Sequence, residues 1–297
     1  MDELADMRGK TCLITGGSAG IGKHTAILLA RLGARVILVT RPSERASRAQ
    51  NEVIRKSRSD AVDLIPADLS LMEDVRRLAD EVTRRYSRLD VLINNAAVFK
   101  VSRVITPEGL ELMFATNYLA PFLLTLRLVD LLKASSDGQV INLTAPSTDS
   151  IDFDNLQGEK GFFPLQTFSR TKMALLLFTL ELARRVAGMP VRVNALYPGL
   201  ARTRLMREAS FKVRVFIYMS AYTTPHAAQA VLALLQTPAH ELETPNGGFY
   251  YEGKELALDA YVLDREVQDH LWEISETMTG VSFNSGIFSH TGSIRNP

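Results

Sequence analysis

Cysteine is almost absent from this chain of 297 residues: Cys12 is the only one. No disulfide framework can form, and a small apolar residue inside the first hydrophobic run suits a reducing compartment. The five histidines, His24, His226, His240, His270 and His290, are scattered, and none stands at ligand spacing from another, so no metal site is expected. Charge of either sign is not in excess, with a formal net of +1, which removes the usual reason to expect nucleic acid or another polyanion as partner. No uninterrupted apolar run approaches the roughly 18 residues of a membrane-spanning helix. The acidic opening at residues 1–6 has no hydrophobic segment of the kind that marks a signal or transit peptide. The expectation is a protein that is cytoplasmic or peripheral on an intracellular membrane, and not secreted. Repeats, low-complexity blocks and dividing linkers are missing too.

What is present is a chain with 46% apolar and 23% charged residues, enough to bury a sizeable core. Residues 1–280 read as one domain and 281–297 as an extended tail, either disordered or an arm that binds another subunit. Around residues 11–32 stand a short apolar run, Thr11 to Thr15, a turn carrying Gly16, Gly17, Ser18, Gly20, Ile21 and Gly22, and a helical pattern ended by Gly33. The run does not alternate, as expected of a parallel strand covered on both faces. Glycines at 16, 20 and 22 permit a sharp turn and a close approach of main-chain N–H groups to a pyrophosphate, with the helix start as the anion site.

Strand and helix patterns then alternate, which predicts a doubly wound α/β fold of about seven parallel strands with helices on both faces. The second run, Arg35 to Thr40, leads to Arg41, followed by Arg45 and Arg48. An acidic residue at this strand end binds an adenosine 2′-hydroxyl, whereas arginine accommodates a 2′-phosphate, so NADP(H) is expected rather than NAD(H); the alternative is an ordinary solvated helix start. The third run, Val62 to Ala67, ends in Asp68, Leu69 and Ser70, where Asp68 or Ser70 can also cap the helix predicted over 71–86. The fourth, Leu89 to Asn95, runs into Ala96 and Ala97. A long helical pattern covers 108–133, with Pro121 set to bend it and Asn117 as a polar residue on an apolar helix. Further strands are read at 139–144, 191–197 and 247–251, and further helices at 165–187, 225–235 and 266–279.

The turn from Thr15 to Gly22, with its Thr-Gly-x-x-x-Gly-Ile-Gly pattern, together with Asn94, Asn95, Ala96 and Ala97, resembles the short-chain dehydrogenase/reductase family, a Rossmann-fold group. Asn155 through Lys160, Leu177, Phe178 and Glu181 through Arg185 are similar to its retinol-dehydrogenase branch. The resemblance spans about residues 8–280. It implies a nicotinamide cofactor held by Gly16, Ser18, Gly20, Ile21, Gly22, Arg41, Asp68, Leu69, Asn95, Ala96, Lys172, Pro198, Gly199 and Thr203. It implies Asn117 as the active-site asparagine that holds a water chain behind Lys172, and a homodimer or larger complex built through the helices at 109–133 and 165–187. A lipophilic small molecule is the implied substrate. The region at about 200–224 would be the substrate lid, although its basic and aromatic residues suit a membrane surface or a partner protein equally well.

One part of the resemblance fails. The family's helix carries Tyr-x-x-x-Lys, in which an ammonium one turn away lowers the phenol's pKa and readies it for proton transfer. Here Lys172 is retained but Phe168 stands at the tyrosine position, and Ala145 falls on the family's carbonyl-binding serine. Ser147, in a loop that looks shortened, and Tyr197 are the candidate substitutes; Tyr250 and Lys254 match the bare spacing, but on a strand and turn. Two readings follow: an NADP(H)-binding protein with a degraded catalytic site, non-catalytic or impaired, acting as a binding protein or subunit; or an active oxidoreductase using a substitute hydroxyl.

Overall fold

The computed structural model describes residues 6–147, 149–201, 205, 207–209 and 222–283. Thr203, most of the expected lid and the end of the expected tail lie outside the described residues.

The strands are β1 (Thr11–Thr15), β2 (Arg35–Thr40), β3 (Val62–Pro66), β4 (Val91–Asn94), β5 (Gly138–Leu143), β6 (Val191–Leu196), β7 (Phe249–Tyr251) and β8 (Lys254–Glu255). The longer helices are α1 (Gly20–Arg31), α2 (Glu44–Ser57), α3 (Met72–Arg85), α4 (Ala120–Lys133), α5 (Pro164–Arg185), α6 (Thr224–Gln236) and α7 (Arg265–Thr279). The sheet order is β3-β2-β1-β4-β5-β6-β7-β8. All pairs are parallel except the last, where β8 folds back on β7. The architecture is a Rossmann-like α/β fold, with one strand more than expected among the described residues. The extra strand exists because Glu252 and Gly253 both adopt positive φ, 48° and 77°, and turn the chain into a hairpin.

Non-alternating strands are explained by cover on both faces. In β1, Leu13 points into a core shared with α3, α4, α5 and α7, whereas Cys12 and Ile14 point into one shared with α1, α2 and α6. Burial raises the Cys12 thiol pKa far above its ordinary value and leaves it unreactive. The order reverses between β1 and β4, so the crevice for a ligand opens at their carboxyl ends.

Three local features depart from the sequence reading. The helix expected from residue 108 begins with a single α turn at Leu112–Phe114, widens into a π turn at Ala115–Leu119 and becomes α-helical at Ala120. Pro121 has no N–H to give to the carbonyl four residues back, and the wider register lies directly before it. Second, α3 is not capped by its own neighbours. Asp68 instead accepts from the Ser70 N–H and hydroxyl, at 3.0 and 2.8 Å. The N–H groups of Met72 and Glu73 donate to the Glu108 carboxylate, at 2.6 and 3.0 Å. Third, the helices at 109–133 and 165–187 bury apolar surface against other helices of the same chain, neighbours that the local pattern does not name. Trp272 of α7 packs on Phe122 and Phe178 at ring distances of 5.0 and 5.9 Å, and α3 covers α4. The segment Leu112–Lys133 has the length and apolarity of a membrane span, but 89% of its apolar window is buried in the protein, as for a core helix.

Candidate active site

The crevice floor is built from Thr15 and Asn95. The Thr15 hydroxyl accepts from the N–H groups of Asn95 and Ala96, both at 3.0 Å, tying the end of β4 to the end of β1. The Asn95 side chain donates to the Thr15 carbonyl at 2.7 Å and lies under the glycine turn. A Cβ on Gly22 would stand 2.5 Å from Asn95 Nδ2, and one on Gly16, at φ 71°, would stand 2.8 Å from it. The glycines are therefore required first by the protein's own packing.

Helix α1 begins without a side-chain cap: Ala19 is its N-cap residue, and its first turn carries no acidic side chain. Its leading N–H groups and the positive end of its dipole thus face the crevice, which suits a diphosphate. Ser18 and Ile21 are half-buried beside it, Leu69 is buried, and Asp68 is half-buried at the end of β3. Arg41 is exposed just beyond β2, with its carbonyl accepting from the hydroxyls of Thr40 and Ser43. On the other side of the crevice, Pro198 is half-buried after β6, and Gly199 takes φ 75° with Tyr222 packed against it. These residues fit a dinucleotide.

Lys172 projects from α5 and is 6% exposed. Its Nζ donates to the Leu143 carbonyl at 3.0 Å and stands 5.7 Å from the centre of the Phe168 ring. Burial lowers its pKa from 10.5 to about 8. Asn117, in the π turn, clips the backbone of Val98 twice: its Oδ1 accepts from the N–H at 2.7 Å, and its Nδ2 donates to the carbonyl at 3.0 Å. The same Nδ2 meets the hydroxyl of Thr171, the neighbour of Lys172, at 3.1 Å. Asn117 and Lys172 are therefore brought together through Thr171.

The Phe168 ring, at the position that the resemblance gives to a tyrosine, turns towards Phe99, edge to face at 5.8 Å, in an apolar cluster with Met113 and Ala209. Ala145 offers no hydroxyl, and the adjacent Thr144 uses its own to hold the Lys172 carbonyl at 2.7 Å. Tyr197 stacks near Tyr251 at 5.1 Å, and burial raises the pKa of its phenol, the opposite of what a proton donor requires. Ser147 hydrogen-bonds Ser169 on α5 at 2.6 Å. Beside this wall opens an apolar pocket of about 730 Å³ lined by Phe99, Val101, Phe163, Leu165, Gln166 and Ala209.

Two groups escaped the sequence reading. One is Ser169, whose signal was its place three residues before Lys172, on the same helical side. The other is a buried polar cluster beneath the site: Asn94 Nδ2 donates to Asn142 Oδ1 at 2.8 Å and to Thr125 at 3.0 Å, and Asn142 Nδ2 donates to Thr179 at 2.8 Å. Nothing in the local pattern pairs residues so distant in the chain.

Comparison with known proteins bears on the family and the fold. A short chain dehydrogenase family model matches residues 10–213. Human retinol dehydrogenase 14 is 37% identical, over 93% of this chain and 88% of its own. Mouse retinol dehydrogenase 13 is 35% identical, over 95% and 87%. Among solved structures, a protein from Mycobacterium Paratuberculosis superposes with a TM-score of 0.77 at 28% identity, covering 95% of this chain and 97% of that one. The Pseudomonas aeruginosa RhlG/NADP complex gives 0.66 at 25% identity, covering 83% and 96%.

Proposed function

Because this chain belongs to the short-chain dehydrogenase family, we propose that it binds NADP(H) across the crevice and that hydride chemistry on a lipophilic alcohol, aldehyde or ketone is severely impaired. The single observation that carries the impairment is Phe168, an apolar ring 5.7 Å from Lys172 Nζ in the position of the family's phenol. A bound nicotinamide would supply or accept a hydride; the protein must still give the substrate oxygen a proton. Removing a positioned general acid costs roughly two to four powers of ten in rate. Replacing a carbonyl-binding serine by Ala145 adds a further factor of roughly a hundred to a thousand.

Support for the phosphorylated cofactor comes from Arg41 at the end of β2, where no carboxylate stands. The RhlG complex is itself named for NADP. Support for a lipophilic ligand comes from the aromatic and aliphatic lining of the 730 Å³ pocket and from relatives named retinol dehydrogenases. Lys172 and the uncapped α1 turn would hold the cofactor's ribose and diphosphate.

Titration of the purified chain with NADPH and NADH, followed by cofactor fluorescence, tests this reading. Arg41→Ala should weaken NADPH about tenfold and leave NADH unchanged. Equal wild-type affinity for both cofactors would refute the NADP preference, and no binding of either would refute the cofactor site. Rapid turnover of long-chain aldehydes, comparable with an intact family enzyme, would refute the impairment. A second reading, turnover through substitute hydroxyls, is favoured by one observation, the contact between Ser147 and Ser169.

A further inference from the structure

We propose that Ser147 and Ser169 form a substitute proton-donating couple that serves the residual carbonyl reduction of this chain. The proposal rests on the reading above, in which the site is impaired rather than dead.

The couple joins the loop after β5 to the second turn of α5, the two elements that carry Ala145 and Phe168. Ser147 lies two residues beyond Ala145, and Ser169 one beyond Phe168. Their hydroxyl oxygens are 2.6 Å apart, a short O–H···O bond. The N–H of Asp149 donates to Ser147 Oγ at 3.3 Å. With Ser147 accepting there and donating to Ser169, the Ser169 proton is left free for a third oxygen.

Helical geometry says where that oxygen would come from. Leu165 and Gln166, which line the apolar pocket, precede Ser169 by four and three residues, and Lys172 follows it by three. Residues so spaced share one side of a helix. The stripe on α5 thus runs from the pocket, through Ser169, to the lysine. Both serines are half-buried rather than sealed. Neighbouring hydroxyls are engaged elsewhere: Thr144 on the Lys172 carbonyl and Thr171 on the Phe168 carbonyl, each at 2.7 Å.

Hydride from a bound reduced nicotinamide adds to the carbonyl carbon, and the C=O π pair moves to oxygen. That oxygen takes the proton of Ser169 Oγ, Ser169 takes the proton of Ser147, and Ser147 is reprotonated by water. An aliphatic hydroxyl is a far weaker acid than a phenol, so the couple yields slow turnover, in keeping with the impairment.

The test uses the full chain and a long-chain methyl ketone labelled with carbon-13 at the carbonyl. Without cofactor, the bound carbonyl resonance should move downfield in the wild type. Ser169→Ala should abolish that displacement and weaken the ketone about tenfold, with Ser169→Thr restoring both. With NADPH, residual reduction should fall about a hundredfold in Ser169→Ala and about tenfold in Ser147→Ala, at unchanged NADPH affinity. An unaltered carbonyl resonance in Ser169→Ala, or reduction insensitive to both substitutions, overturns the couple. Wild-type protein that binds NADPH yet never reduces the ketone overturns it too, and leaves the cofactor reading standing. Failure to bind NADPH sinks the cofactor reading, and the couple's role in reduction falls with it, while the cofactor-free resonance still tells whether Ser169 meets the carbonyl.

Discussion

Replacing Lys172 by methionine should change how stability responds to pH, and the size of the change follows from the lysine's surroundings. Its ammonium is buried, donates one hydrogen bond to a main-chain carbonyl and faces the Phe168 ring. Desolvation alone lowers its pKa, from 10.5 in an open chain to about 8. Between those values the unfolded chain binds the proton and the folded one does not, so this group makes stability rise with pH. Well below the folded pKa the buried charge costs about 3 kcal/mol, the shift multiplied by 1.36 kcal/mol for each unit. From about pH 7 to about pH 9.5 the wild type should therefore gain about 2 kcal/mol relative to Lys172→Met. Urea denaturation of both proteins at the two pH values measures it, and every other titrating group cancels in the difference. Methionine has nearly the same length and no charge, so at neutral pH the variant should be the more stable protein. A difference that stays flat across this range would mean that Lys172 carries its charge without penalty, and the argument for its desolvation would fail.

Gly22→Ala places a Cβ 2.5 Å from Asn95 Nδ2, and should cost about 1–3 kcal/mol and abolish NADPH binding, read by thermal unfolding and cofactor fluorescence. Glu108→Gln keeps one acceptor oxygen but sets an NH2 donor against the other N–H and removes the charge that caps α3 from a distant loop, so a loss of about 1–2 kcal/mol is expected in urea denaturation. Asn142→Leu strips Asn94 and Thr179 of their buried partner, and should cost about 2–4 kcal/mol by the same measurement. Phe168→Tyr combined with Ala145→Ser should raise NADPH-dependent aldehyde reduction by at least about a hundredfold; no gain would mean that the pocket has departed from the family's geometry as well.

Much of the fold was written in local pattern. The buried runs of β1 and β2, the glycine turn and the long α5 stripe each depend on the spacing of residues within a few turns, and their boundaries agree with the structure to within a residue or two, α1 starting three residues earlier than its pattern suggested. Residue identity alone carries the contrast between Phe168 and Ala145 and the hydroxyls that the resemblance implies there, because a ring and a methyl group cannot donate a proton in any conformation. Tertiary structure decided what no window of sequence contains. Glu108 caps a helix 36 positions away, because two loops meet over the carboxyl end of β3. Asn94 and Asn142 hold each other because β4 and β5 are neighbours in the sheet. Helices α4 and α5 have their apolar faces covered by α3 and α7, a choice made by packing and not by amphipathicity, which marks a face as apolar without naming what lies on it. Ser147 and Ser169 become a pair only when the loop after β5 reaches α5. Contacts of that kind depend on chain separation in space, and sequence spacing carries no record of it.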